Sequence, residues 1–187
     1  MKAKKRAFFM TGIIVASTLF LFGGFCLESP SAMLVGIAKG QAGRGEYDKA
    51  IVSFNKALEM SPNSWYVLLN RGEFYLEIKR YEEAAADLTR VIELHPKYVY
   101  IYKIHTMRGD SYRYLFRHDE AIAEYGRALD IRPNYAPARY GRGLTYWETG
   151  RRTEALADLG RACGLKYEPA CKAYEALAAD RPGGNEP

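Results

Sequence analysis

Histidine, cysteine and tryptophan are scarce in this 187-residue chain, which has three, three and two of them. His95, His105 and His118 have no cysteine or acid at zinc-ligand spacing, so no metal site is expected. There is no glycine-rich phosphate loop and no Gly-x-Ser-x-Gly elbow, which removes two common routes to chemistry. No catalytic residue and no cofactor are therefore expected. The body also lacks an excess of one charge. The formal net charge is +5, from 27 Lys+Arg against 22 Asp+Glu, but Lys2, Lys4, Lys5 and Arg6 supply four of the positive charges. Without them the balance is 23 against 22. A body near neutrality offers no electrostatic footprint for a phosphate backbone, so no nucleic-acid partner is expected. With 48% hydrophobic residues and 26% charged, a packed core is accessible and wholesale disorder is excluded.

Charge is absent from Ala7 to Leu27, a run of 21 positions. At about 1.5 Å per residue, such a helix matches a hydrocarbon core of about 30 Å. The basic flank belongs in the cytoplasm, which sends everything after Glu28 across the membrane. Three readings stay open. One is an uncleaved signal anchor. The second is a cleaved signal peptide, with poor exits at Gly24-Phe25-Cys26 and Pro30-Ser31-Ala32. The third is a lipoprotein built on Cys26, with bulky Phe25 where that motif wants a small residue. The expected location is a bacterial-type inner membrane, crossed once through residues 7–27, with the body on the outer, periplasmic side. The alternative is a periplasmic or secreted protein after cleavage.

The rest of the chain repeats itself. Ala50, Ala84, Ala121 and Ala155 recur at intervals of 34, 37 and 34, which Ala38, Gly72, Gly109 and Gly143 keep as well. Pro62, Pro96 and Pro133 follow the same period, and Tyr75, Tyr112 and Tyr146 stand three residues after the last three glycines. Phe54, Leu88, Tyr125 and Leu159 come four residues after each Ala, and Ala57, Val91, Ala128 and Ala162 three residues later. Small residues let partner helices approach closely, and each Pro ends a unit because it has no N–H to continue a helix. Apolar residues at i, i+3, i+4 and i+7 form stripes that are buried only when neighbouring units stack.

This pattern resembles the tetratricopeptide repeat, a 34-residue helix-turn-helix. The clearest stretches are Arg71-Gly72-Glu73-Phe74-Tyr75 with Tyr81-Glu82-Glu83-Ala84, and Gly45-Glu46-Tyr47-Asp48-Lys49-Ala50 running on to Ser61-Pro62-Asn63. The resemblance implies an all-α fold: a right-handed superhelical solenoid with a C-terminal capping helix, preceded by the N-terminal transmembrane or signal helix. Repeats are expected at 31–64, 65–98, 102–135 and 136–169, a capping helix at 170–179 and a disordered tail at 180–187. Gln41 replaces the tyrosine in repeat one, and Gly36, Gly40 and Gly43 weaken its first helix by about 1 kcal/mol each. Val99-Tyr100-Ile101 is an insertion that either lengthens a loop or adds a turn to the next helix.

Repeats two to four carry Arg71, Arg108 and Arg142 just before the key glycine, and an acid sixteen residues on: Asp87, Glu124 and Asp158. Repeat one has Ile37 and Ser53 instead. Joint presence and joint absence predict partly buried ion pairs across the two helices, against the plainer reading of two solvated faces. Cys163 and Cys171 flank the turn into the end helix. Their gap is similar to that of paired cysteines in exported cysteine-rich helical-repeat proteins, and a disulfide is expected there; two small buried thiols are the alternative.

In this family the first helix of each repeat lines a concave groove. Carried onto this chain, the groove positions are Tyr66, Leu69, Asn70 and Glu73, then Lys103, Thr106, Asp110, Arg113 and Tyr114, then Tyr140, Leu144 and Trp147. The Lys/Asn set with which some members hold a C-terminal carboxylate is not at these positions. The aromatic, mixed-charge surface suits a peptide segment or a helix of another protein, although tyrosine is also common inside such repeats. The alternative is a carbohydrate or cell-wall polymer, since sugars stack on the same rings. Glu73 and Asp110 share one groove position in adjacent repeats, and repetition explains their alignment without catalysis.

Overall fold

The computed structural model describes residues 29–179. Among these residues the secondary structure is α-helical, in the order α1 (Pro30–Gly43), α2 (Tyr47–Met60), α3 (Trp65–Glu77), α4 (Tyr81–Leu94), α5 (Ile101–Tyr114), α6 (His118–Ile131), α7 (Ala136–Glu148), α8 (Arg152–Gly164) and α9 (Glu168–Ala179). The longest of them has 14 residues, too short for a hydrocarbon core. No helix among the described residues is long and apolar enough to cross a membrane. The expected single-pass inner-membrane location is corrected on this finding. Residues 7–27, on which it rested, Cys26 and the expected tail at 180–187 lie outside the described residues.

Local chemistry sets the helix ends. Pro30 opens α1 where its missing N–H costs nothing, and the Ser29 hydroxyl accepts from the Ala32 amide at 3.2 Å. Ser64 caps α3 through the Val67 amide. Each turn from an odd to an even helix contains one left-handed residue: Gly45, Lys79, Phe116 and Gly150. The insertion divides. The segment between α4 and α5 has two more residues than its counterparts, and α5 is one residue longer than α3 or α7.

Each odd helix packs on the even helix after it, and α9 packs on α8. Consecutive odd helices from α1 to α7 also touch, whereas the even helices form no comparable row. The odd helices therefore form one continuous layer, termed the inner face. The core runs through the stack as linked clusters. Val35, Ala38, Phe54 and Phe74 belong to the first, Leu68, Leu88 and Ile104 to the next, Tyr102, Tyr125 and Ala138 to the third, and Leu159, Ala162 and Ala170 to the last. Helix α1 forms in full despite three glycines because Val35 and Ala38 are buried. Packing outweighs weak propensity there.

Candidate functional site

The inner face is built on a floor of buried charge. Arg71 Nε and Nη2 donate to both carboxylate oxygens of Asp87 at 2.7 Å, and Arg142 does the same to Asp158 at 2.6 and 3.1 Å. Arg108 Nε donates to Glu124 Oε2 at 3.0 Å, and its Nη2 lies 2.8 Å from Oε1. Such forked pairs hold both partners in one plane. Burial opposes ionisation of Glu124, but hydrogen bonds from His105 and Arg108 outweigh it and hold the carboxyl below its usual range. Burial likewise works against the Arg71 and Arg142 charges, and their aspartates more than compensate. Repeat one substitutes a neutral contact: Ser53 Oγ donates to Gln41 Oε1 at 2.7 Å.

A second set of partners was not foreseen from the sequence. His105 Nδ1 donates to Glu124 at 2.8 Å, and Arg139 Nη1 donates to Asp158 at 3.2 Å. Both lie nineteen residues before their acid, so the signal was a periodic one hidden by the change from His to Arg. The arginines also reach backwards along the stack. Arg71 Nη1 donates to Asn55 at 2.7 Å and Arg108 Nη1 to Thr89 at 3.0 Å. Asn55 and Thr89 are equivalent positions of α2 and α4, and the matching position of α6 is Gly126. Each of these two arginines thus ties its own helix pair to the preceding one.

The groove positions fall into three groups. Tyr66, Glu73, Lys103 and Tyr114 are exposed, whereas Leu69, Asp110, Arg113, Tyr140, Leu144 and Trp147 are half-buried. Asn70 and Thr106 are buried, and their side chains donate to the Tyr66 and Tyr102 carbonyls one turn back. Helix backbone has absorbed their hydrogen-bonding capacity. Several aromatic rings already carry neighbours: Tyr81 stacks on Tyr114 at 4.6 Å, the Arg113 guanidinium lies 4.3 Å from the same ring, and Arg152 lies 5.0 Å from Trp147. Toward the N-terminal end, Lys39, Tyr47, Asn70, Glu73 and Glu77 border a hollow of about 350 Å³. Burial raises the Glu73 carboxyl, with the Lys39 and Lys103 charges pulling against it.

Repeat three has a feature of its own. Tyr125 takes the core position that is Phe54, Leu88 or Leu159 elsewhere, and it is fully buried. A Cβ on Gly109 would lie 2.8 Å from its ring and one on Gly141 2.6 Å, so two glycines make the slot it occupies. Its hydroxyl reaches between α5 and α7 and donates to Asp110 Oδ1 at 2.7 Å. Burial pushes the Asp110 carboxyl up to about 6, against the Tyr125 hydrogen bond and the Arg113 charge. Burial and the Asp110 charge raise the Tyr125 hydroxyl well above its ordinary value. Near the C-terminal end, Cys163 and Cys171 form a disulfide with Cα atoms 4.5 Å apart, linking α8 to α9. The described residues contain no group of acids, histidines and cysteines that could hold a metal ion.

Known proteins give this architecture a context. Models described as tetratricopeptide repeat match residues 41–106 and 136–169, and one described as TPR repeat matches 109–150. The tetratricopeptide repeat and J domain-containing co-chaperone DNJ1 of Fusarium oxysporum f. sp. lycopersici is 28% identical over 96 residues, which are 48% of this chain and 18% of the relative. The human peptidyl-prolyl cis-trans isomerase FKBP4 is 42% identical over 50 residues, 27% of this chain and 11% of the relative. The matches thus span less than a fifth of either relative. A crystal structure of MamA protein superposes with a TM-score of 0.70 at 22% identity, covering 80% of this chain and 81% of that one. A second MamA structure gives 0.68 at 23%, covering 76% and 83%. At such identities the likeness is one of fold.

Proposed function

Because the chain belongs to the tetratricopeptide-repeat family, we propose that it is a non-catalytic interaction module whose inner face holds an extended segment or a helix of another protein. The observation that carries this reading is that consecutive odd helices touch one another and bear Tyr66, Tyr114, Tyr140 and Trp147 together with Glu73, Lys103, Asp110 and Arg113. Large aromatic side chains give contact area at low entropic cost, and the charges set the register of whatever lies along them. A protein segment suits this surface better than a polysaccharide. Sugars need open ring faces, whereas Arg152 lies against Trp147 and both Tyr81 and Arg113 lie against Tyr114.

The test is crosslinking and affinity capture with the full chain, compared with Trp147→Ala plus Tyr140→Ala, and with polymer co-sedimentation run beside it. Loss of protein capture in the double variant is expected. Unchanged capture would move the site to the outer face, and sedimentation with polymer would favour the carbohydrate reading.

A further inference from the structure

Each buried acid of the ion-pair floor has a cation of its own: Asp87 has Arg71, Glu124 has Arg108, and Asp158 has Arg142 and Arg139. Asp110 is different. It accepts from the Tyr125 hydroxyl through Oδ1, makes no salt bridge among the described residues, and its Oδ2 has no protein partner while keeping contact with solvent. The neighbouring cations are engaged elsewhere. Arg113 donates to Glu148 at 2.7 Å and lies against the Tyr114 ring, while Lys103, two helical turns away, lies over Tyr100.

We infer that the stretch of inner face around Asp110, between α5 and α7, is a subsite for a lysine or arginine side chain of the bound protein segment. A carboxylate held out of bulk water with no cation in direct contact is stabilised by one that reaches it. The slot made by Gly109 and Gly141 seats Tyr125, and Tyr125 fixes the carboxylate so that Oδ2 faces outward. Asp110 is thus the specificity-determining residue and Tyr125 a positioning residue. The inference rests on the proposed peptide-binding role of this face.

The probe is a random-peptide display library, selected on the immobilised full chain and on its Asp110→Asn variant. Asparagine keeps the shape and an acceptor for Tyr125, and a cooperative melt no lower than that of the native chain would verify that the variant is folded. Peptides selected on the native chain are expected to carry Lys or Arg at one fixed position. A synthetic peptide from that set should lose about tenfold or more in affinity for Asp110→Asn. Replacing its basic residue by Met should cost as much on the native chain and little more on the variant. Selected peptides without a fixed basic residue, or equal affinity for both chains, would overturn the subsite and leave the groove reading standing. Selection of no peptide, or of peptides indifferent to Trp147→Ala plus Tyr140→Ala, would overturn the groove reading and the subsite together.

Discussion

Tyr125 concentrates at one residue most of what distinguishes repeat three. Its ring needs two glycines and its hydroxyl needs an acceptor, and Gly109, Gly141 and Asp110 supply them. Gly141→Ala would put a methyl group inside the ring's contact distance and is expected to cost about 1–3 kcal/mol by overpacking. Gly126→Ala, in open space on α6, should instead stabilise by up to about 1 kcal/mol. Denaturant melts of the two variants check this pair, and equal shifts would refute the slot. Asp110 gives a prediction in pH. Its folded-state carboxyl titrates near 6 against an ordinary 3.8, so the folded chain binds the proton more tightly than the unfolded chain. That contribution is full below the ordinary value and is lost as pH rises through about 6. Asp110→Asn cannot ionise and should therefore gain on the native chain as pH rises from about 4 to about 6 and keep that gain above it, by no more than about 3 kcal/mol. Parallel stability profiles for the two chains would contradict it.

The helices show where local sequence decides and where neighbours do. Helices α4, α6 and α8 begin with repeated arginine–glutamate pairs, Arg80 with Glu83, Arg117 with Glu120 and Arg151 with Glu154, each exposed and screened by solvent. Much of what holds α9 comes from elsewhere. It packs mainly on α8 and buries Ala170, with the disulfide close to its start. Arg152 Nη2 also donates to the Leu177 carbonyl near its end at 2.7 Å. Closing so short a loop is worth about 2–3 kcal/mol on the chain-entropy estimate. Reduction should therefore raise amide exchange in α9 well before it affects α3 or α5, as hydrogen-exchange mass spectrometry would show. Uniform loosening of all helices would count against this local role.

Across the whole molecule, the buried arginines Arg71 and Arg108 add polar ties to the apolar packing between successive units. Arg108 has partners on α6 and on α4, so its loss breaks contacts in two helix pairs at once. Arg108→Ala is expected to cost about 3 kcal/mol or more, because Glu124 loses the most buried of its cations and the tie to Thr89 is broken as well. Arg142→Ala should cost less, because the position behind it is Gly126 and no contact with the preceding helix pair is lost. Urea titrations of both variants, with a double-mutant cycle on Arg108 and Glu124, measure the difference. Equal costs, or no coupling in the cycle, would show that the pairs are ornaments of a solvated face.

The sequence by itself determined the period, the alternation of helices and the sixteen-residue spacing between each arginine and its acid. These features follow from local order, since small residues, prolines and apolar stripes recur only if each unit packs alike. The insertion was visible as well, but its division between loop and α5 depended on how α4 and α5 pack. The tertiary structure alone decided which charges are satisfied. Asn70 and Thr106 share the groove periodicity yet turn into their own helix, and His105 and Arg139 join the acids through a spacing that a change of residue type concealed. Asp110 and Glu73 hold the same place in the repeat. Only the passage of the Tyr125 side chain between two helices, a contact between separate repeats, sets Asp110 apart as a carboxylate without a cation.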